Sequence, residues 1–207
     1  MNTPPISYFG MWCLMAVVPS ALAIDAVLTD DVSVSSVSGA RAPNGYSPTL
    51  VVSRTDTVYI RFDINSVLPA DVTAANIGKA TLRLWVSKVI GNEFGACAVY
   101  QVISDPFGWV ENSISNRNPP GLGNSSIAIT RAVRTYKQFL VFDVTPLVQQ
   151  WISGVPNFGI AIRGIDVGSV EVVGAPPPSP PLHAFIDSKE NAATGHLPAL
   201  EITLKAY

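Results

Sequence analysis

Charge is scarce in this chain of 207 residues. Only 14% of the side chains are Asp, Glu, Lys or Arg, against roughly 25% in an average soluble domain. The 13 basic and 15 acidic groups nearly cancel, leaving a net charge of −2. Without an excess of Lys and Arg, the chain lacks the electrostatic footprint of a nucleic-acid binder. Cysteine is scarcer still. Two cysteines can build neither a disulfide scaffold nor a four-cysteine zinc site. The two histidines, His183 and His196, stand in unlike contexts, and no G-x-S-x-G stretch accompanies them. A Ser-His-Asp hydrolase is therefore left without its motif. Also missing are the amphipathic segments of about 10–15 residues that a helical or α/β fold requires. What is present is 48% hydrophobic and is punctuated by 17 prolines and 15 glycines. Ordered apolar runs of this kind exclude a disordered tail.

No charged side chain precedes Asp25. The apolar run Tyr8–Val18 is shorter than the roughly 20 residues needed to span a bilayer. It ends in Pro19-Ser20-Ala21-Leu22-Ala23, a small-x-small pattern suited to signal peptidase. We read residues 1–23 as a signal peptide cleaved after Ala23, although its n-region lacks Lys and Arg. The expected product is a secreted or cell-surface chain with no membrane span. Cleavage would remove Cys13 and leave Cys97, in the apolar run Ala96–Val102, as a core filler. Residues 24–207 then make one domain, long enough to bury a core without covalent staples.

The rest of the chain reads as short strands between Gly, Pro, Asn and Ser. The expected strands are 26–34, 49–53, 57–64, 80–88, 96–103, 126–134, 138–144, 158–164, 169–173, 183–188 and 199–206. In 57–64, Val58, Ile60, Phe62 and Ile64 share one face, and Thr57, Tyr59, Arg61 and Asp63 the other. In 80–88, Leu82, Leu84 and Val86 alternate with Arg83, Trp85 and Ser87. Period-two patterning means one buried and one wet face. One segment differs. Thr145 can cap and Pro146 can start a helix near 146–153, with Leu147, Val148, Trp151 and Ile152 on one side and Gly154 just past its end. Asn112–Ser126 and Gly174–Pro181 read as long loops, the latter a rigid proline-rich connection. The fold expected is all-β: a two-sheet antiparallel, jelly-roll-like sandwich with one short helix.

Four ordered stretches carry a resemblance. They are Asp30-Asp31-Val32 with Pro43-Asn44-Gly45-Tyr46; Tyr59–Ile64 with Leu68-Pro69 and Ala80–Leu84; Phe142–Trp151 with Pro156-Asn157-Phe158-Gly159; and Phe185–Asn191 with Leu197–Ile202. In order and spacing the chain resembles the secreted β-sandwich modules called DNRLRE domains, which overlap carbohydrate-binding module family 96. Trp109-Val110-Glu111 is similar to the W-x-E segment of that family, without the second Trp often found after it. The resemblance implies a non-catalytic extracellular module, of which some bind anionic polysaccharide. No catalytic domain accompanies it on this chain, which weakens an enzyme-targeting role.

Candidate binding residues follow from the wet faces. Sugars stack their C–H faces on aromatic rings, and a uronate carboxylate matches the planar fork of arginine. Tyr59, Arg61, Arg83 and Trp85 would form one aromatic-and-arginine patch if their two strands shared a sheet. Arg131, Arg134 and Lys137 make a second basic group, for which a solvated hairpin is the favoured explanation. No cofactor motif occurs. A structural calcium is a weaker expectation, with Asp30, Asp31 and Asn44 as hard oxygen donors but no D-x-D-x-D-G loop. The charges of Asp187–Glu190 are expected to pair with Arg61 across the sheet. The leading expectation is non-catalytic binding of an extracellular polysaccharide, acidic ones included. The alternatives are a structural or adhesion role against other surface or matrix proteins and, ranked last, a small polysaccharide lyase.

Overall fold

The computed structural model describes residues 21–37, 45–90, 95–105, 108–130, 133, 135–166 and 180–205. Within them run eleven strands: β1 (Leu22–Asp25), β2 (Val27–Ser35), β3 (Thr49–Val52), β4 (Asp56–Asp63), β5 (Ile77–Val89), β6 (Ala96–Ser104), β7 (Gly121–Ile129), β8 (Gln138–Asp143), β9 (Ile160–Ile165), β10 (Ala184–Asp187) and β11 (Ala199–Leu204). A single α-helix, α1 (Thr145–Ile152), sits between β8 and β9.

The strands form two antiparallel sheets. The first runs β1-β11-β5-β10-β3, with β8 on the other edge of β5; the second runs β2-β4-β9-β6-β7. The long strand β5 organises the first sheet. Its first half pairs with β11 and its last residues with β10 on one edge, while Thr81–Val86 pair with β8 on the other. Alternation then decides the packing. Leu82, Leu84 and Val86 point inward and meet Val58, Ile60 and Phe62 of β4 and Ile160 and Ile162 of β9 in one core. This is the sandwich that the sequence pattern implies.

The helix closes one end of that core with Leu147, Val148 and Trp151. Thr145 is its first helical residue rather than its cap, and Val144 holds the cap position. The Thr145 hydroxyl instead donates to Asp143 Oδ1 at 2.6 Å and accepts from the Ala80 amide at 2.9 Å, tying the helix start to β5. Gly154, at φ +101°, ends the helix as expected.

Two boundaries depart furthest from expectation. Strand β7 starts at Gly121, inside the stretch read as loop. Its Gly-Leu-Gly-Asn-Ser-Ser sequence has no alternation to show a strand, and its pairing with β6 slips register three times. Strand β1 includes Leu22 and Ala23, paired with Leu204 and Thr203, so cleavage after Ala23 would leave Ile24 and Asp25 of this edge strand. The expected strand 169–173 lies outside the described residues, as does most of the proline-rich loop. The end of that loop is stitched to β6: the Ala96 amide donates to Pro180 O at 2.8 Å and the Leu182 amide to Ala96 O at 2.7 Å.

Candidate functional site

The two sheets turn different surfaces to solvent. On the first, β5 presents Arg83 and Trp85, and β8 presents Phe139 and Val141 directly opposite: Trp85 pairs with Phe139, Arg83 with Val141. The Trp85 and Phe139 rings meet edge to face at 4.8 Å. His196, in the turn before β11, stacks on Trp85 at 4.1 Å and approaches Phe139 at 5.6 Å. Phe139 is 43% exposed, Val141 60% and Leu197 42%. The turn that carries His196 covers one face of Trp85, leaving Trp85 and His196 half-buried and Phe139 exposed, so the three rings form a partly open aromatic cluster on the sheet. Arg83 flanks it on β5 with its side chain 42% exposed, 4.0 Å from an equally exposed Glu201 on β11. An ion pair that long and wet is weak, so the guanidinium keeps hydrogen-bonding capacity for a ligand. Arg83 Nε and His196 Nδ1 are buried and have no hydrogen-bond partner among the described residues.

The second sheet is covered where Tyr59 and Arg61 emerge. The loop after β6 folds back over it and inserts Trp109, which is 2% exposed. Every polar group of that indole-bearing residue is spoken for. Its amide donates to both carboxylate oxygens of Asp105 at 2.8 Å, its Nε1 to Phe158 O at 2.9 Å, and its carbonyl accepts from Arg61 Nη2 at 2.6 Å. Arg61 also pairs with Asp30 at 3.0 Å and lies 4.8 Å over the Trp109 ring, as a cation–π contact. Tyr59, 3% exposed, packs edge-on to Trp109 at 6.1 Å within a cluster of Val32, Val34, Val102, Ile114 and Ala161.

The expected four-residue patch is therefore corrected. Tyr59 and Arg61 lie in the second sheet, and Arg83 and Trp85 in the first. Tyr59 and Arg61 hold down a loop. Arg83 and Trp85 are half-buried on the other sheet beside Phe139 and His196, which sequence reasoning passed over. The omission has a physical cause: in Gln-Phe-Leu-Val-Phe-Asp both faces of β8 are apolar, so periodicity could not tell Phe139 and Val141 from Leu140 and Phe142.

The remaining candidates divide similarly. Lys137, at φ +58° in the turn before β8, is exposed and donates its amide to Val86 O at 2.6 Å, which sets it two residues from Phe139. Arg131, Arg134 and Asn44 lie outside the described residues. Of the calcium candidates, Asp30 is engaged by Arg61. Asp31 points the other way, into the end of the sandwich, where its Oδ2 accepts the Lys189 amide at 2.7 Å. Burial pushes its carboxyl up to about 7, against the opposing pull of the Lys189 amide and charge. Among the described residues no three His, Cys, Asp or Glu side chains converge as a metal site. The expected partnership of Asp187–Glu190 with Arg61 is replaced by another: Lys189 Nζ pairs with Glu111 at 2.7 Å, and Asp187 accepts from Thr194 at 2.6 Å. Both ends of Trp109-Val110-Glu111 are thus structural, one gripping the second sheet and the other Lys189. Cys97 is fully buried, and desolvation raises its thiol to about 12, so it is an inert part of the core.

A sandwich with a partly exposed ring platform on one sheet is the architecture of a sugar-binding module, and the sequence comparison agrees. The model of carbohydrate-binding module family 96 matches residues 24–174. The chain belongs to this family. No curated protein is significantly similar to it. The family match covers β5 and β8 and so includes Arg83, Trp85, Phe139 and Val141 of the platform. His196 and Glu201 reach it from the β10–β11 region beyond the matched segment. Among the described residues no helix is long and apolar enough to cross a membrane.

Proposed function

We propose that this family 96 module is a secreted, non-catalytic protein that binds an extracellular polysaccharide on the outer face of its first sheet, and that acidic chains are its preferred class. The observation that carries the reading is the partly exposed cluster of Trp85, Phe139 and His196 beside Arg83. Exposed aromatic clusters are costly unless they meet a partner. A polysaccharide is a fitting partner because ring C–H faces lie on aromatic surfaces while flanking polar groups take the hydroxyls. Arginine adds the fork that suits a uronate carboxylate. Two buried polar atoms beside the platform, Arg83 Nε and His196 Nδ1, have no hydrogen-bond partner among the described residues.

Affinity electrophoresis through gels carrying polygalacturonate, alginate or a neutral glucan tests this. Wild type is retarded in at least one acidic gel, Trp85→Ala migrates freely, and Arg83→Ala loses retardation mainly in acidic gels. Equal migration of wild type with and without every glycan contradicts the reading. A second reading, adhesion to other surface proteins, draws on the exposure of Phe139, Val141 and Leu197 on the same face. Stable oligomers by size-exclusion chromatography without glycan, dispersed by Val141→Lys, would favour it; a clean monomer would not.

A further inference from the structure

A second concavity lies on the other sheet, where the loop that carries Trp109 stops short of covering it. It encloses about 230 Å³ at the end of the sheet formed by β2, β4 and β9. Thr57, Tyr59 and Arg163 make its floor. Strand register puts them there: Thr57 pairs with Arg163, and Tyr59 with Ala161, so all three point outward on adjacent strands. Ser35, Ser36 and Asn116 supply polar groups around the rim, and Pro119 and Pro120 an apolar wall. Asn116 is fixed in place through a 3.4 Å hydrogen bond to Val37 O.

Two features point to a ligand. The Tyr59 ring is buried, which holds its phenol above the ordinary value against the opposing pull of Arg163, while its hydroxyl, which makes no hydrogen bond among the described residues, reaches the cleft. Arg163 donates Nε to Arg54 O at 3.1 Å, and no carboxylate among the described residues pairs with it. A phenol hydroxyl that reaches the cleft and an exposed guanidinium without a carboxylate partner among the described residues stand on one floor, as donors a ligand can take up. Pockets for drug-sized ligands run to about 300–1,000 Å³, so this cleft is the size of one small ring system rather than of a chain.

We propose that the cleft is a second carbohydrate subsite, taking a single terminal sugar ring that carries a carboxylate. Arg163 receives the carboxylate as a charge-assisted pair. Tyr59 Oη, Thr57 and Asn116 receive hydroxyls, and the Pro119–Pro120 wall receives the C–H face. This subsite is independent of the platform on the first sheet and lies on the opposite sheet. A polymer held along the platform of one molecule could present its end to the cleft of another, so one chain would engage two molecules.

Amide chemical-shift mapping of the purified protein with sodium D-glucuronate, and separately with methyl β-D-glucopyranoside, tests the proposal. Saturable shifts at Thr57, Asn116 and Arg163 are expected with glucuronate, and weaker ones with the neutral glucoside. Arg163→Gln lowers glucuronate affinity about tenfold or more. Tyr59→Phe, which removes one hydroxyl and keeps the packing on Trp109, lowers it several-fold. Trp85→Ala leaves it unchanged, which separates this site from the platform. The proposal is overturned by the absence of saturable shifts at tens of millimolar glucuronate. Equal response to the glucoside, unchanged affinity in both Arg163→Gln and Tyr59→Phe, or loss of the shifts in Trp85→Ala would overturn it as well.

Discussion

Residue identity decides stability and site at a few positions, and Asp31 is the clearest. It is 1% exposed, and burial raises its carboxyl to about 7, opposed by the Lys189 amide and the charge of Lys189 and reinforced by Glu111 and Glu190. The folded chain therefore holds a proton that the unfolded chain releases near pH 4. Stability from this group is complete below that pH and is lost as pH rises from about 4 to about 7, on the order of 4 kcal/mol in all. Asp31→Asn keeps an acceptor for the Lys189 amide and has no charge to bury. Its melting temperature should change less between pH 5 and pH 8 than that of wild type, and exceed it at pH 8. Parallel pH profiles for the two proteins would refute the assignment. Arg61 shows the opposite case, a charge whose partners satisfy it. Arg61→Ala strands Asp30 and Asp105, whose side chains are 14% and 5% exposed, and denaturant titration should show a loss of about 2–4 kcal/mol.

Elements carry the division of labour between the two outer faces. The loop that bears Trp109 is anchored by the indole, by Arg61 and by the Glu111–Lys189 pair, and it covers the second sheet around Arg61 while leaving the cleft beside Arg163 open. Gly159 makes room for it. Its φ is +99°, and a Cβ there would fall 2.6 Å from Ile60 O and 3.3 Å from the Trp109 ring. Trp109→Ala should therefore cost about 3–5 kcal/mol by denaturant unfolding and leave polysaccharide retention through the other sheet intact. Loss of retention in a folded Trp109→Ala protein would show that the loop, not the platform, is the binding element. Strands with one wet face were legible in the sequence: β4, β5 and β11 alternate cleanly, and their inward residues are the core residues. The helix was legible from Pro146 and Gly154. What alternation cannot encode is whether a wet face is later covered. Tyr59 and Trp85 occupy equivalent positions in their strands, and only the distant Trp109 decides that one is buried. Nor could it reveal β7, whose small polar residues carry no face signal, or Phe139, whose strand is apolar on both sides.

At the scale of the whole molecule, the sandwich separates folding from recognition. Its core lies between the sheets, one outer face is partly covered by a loop, and the other carries aromatic rings and an arginine. Because the platform adds little to the core, its residues can be truncated without unfolding the protein: Trp85→Ala should lose polysaccharide binding while its unfolding transition stays cooperative. If the ligand is acidic, retention should also fall with added salt, since Arg83 and Lys137 act near the surface, where charges are screened over about 10 Å at 0.1 M. The most direct test is amide chemical-shift mapping with a uronate hexasaccharide that the protein binds. The account predicts the largest perturbations at 81–87, 138–143 and 196–201, the three segments that build the platform. Binding that leaves those amides unmoved would contradict it.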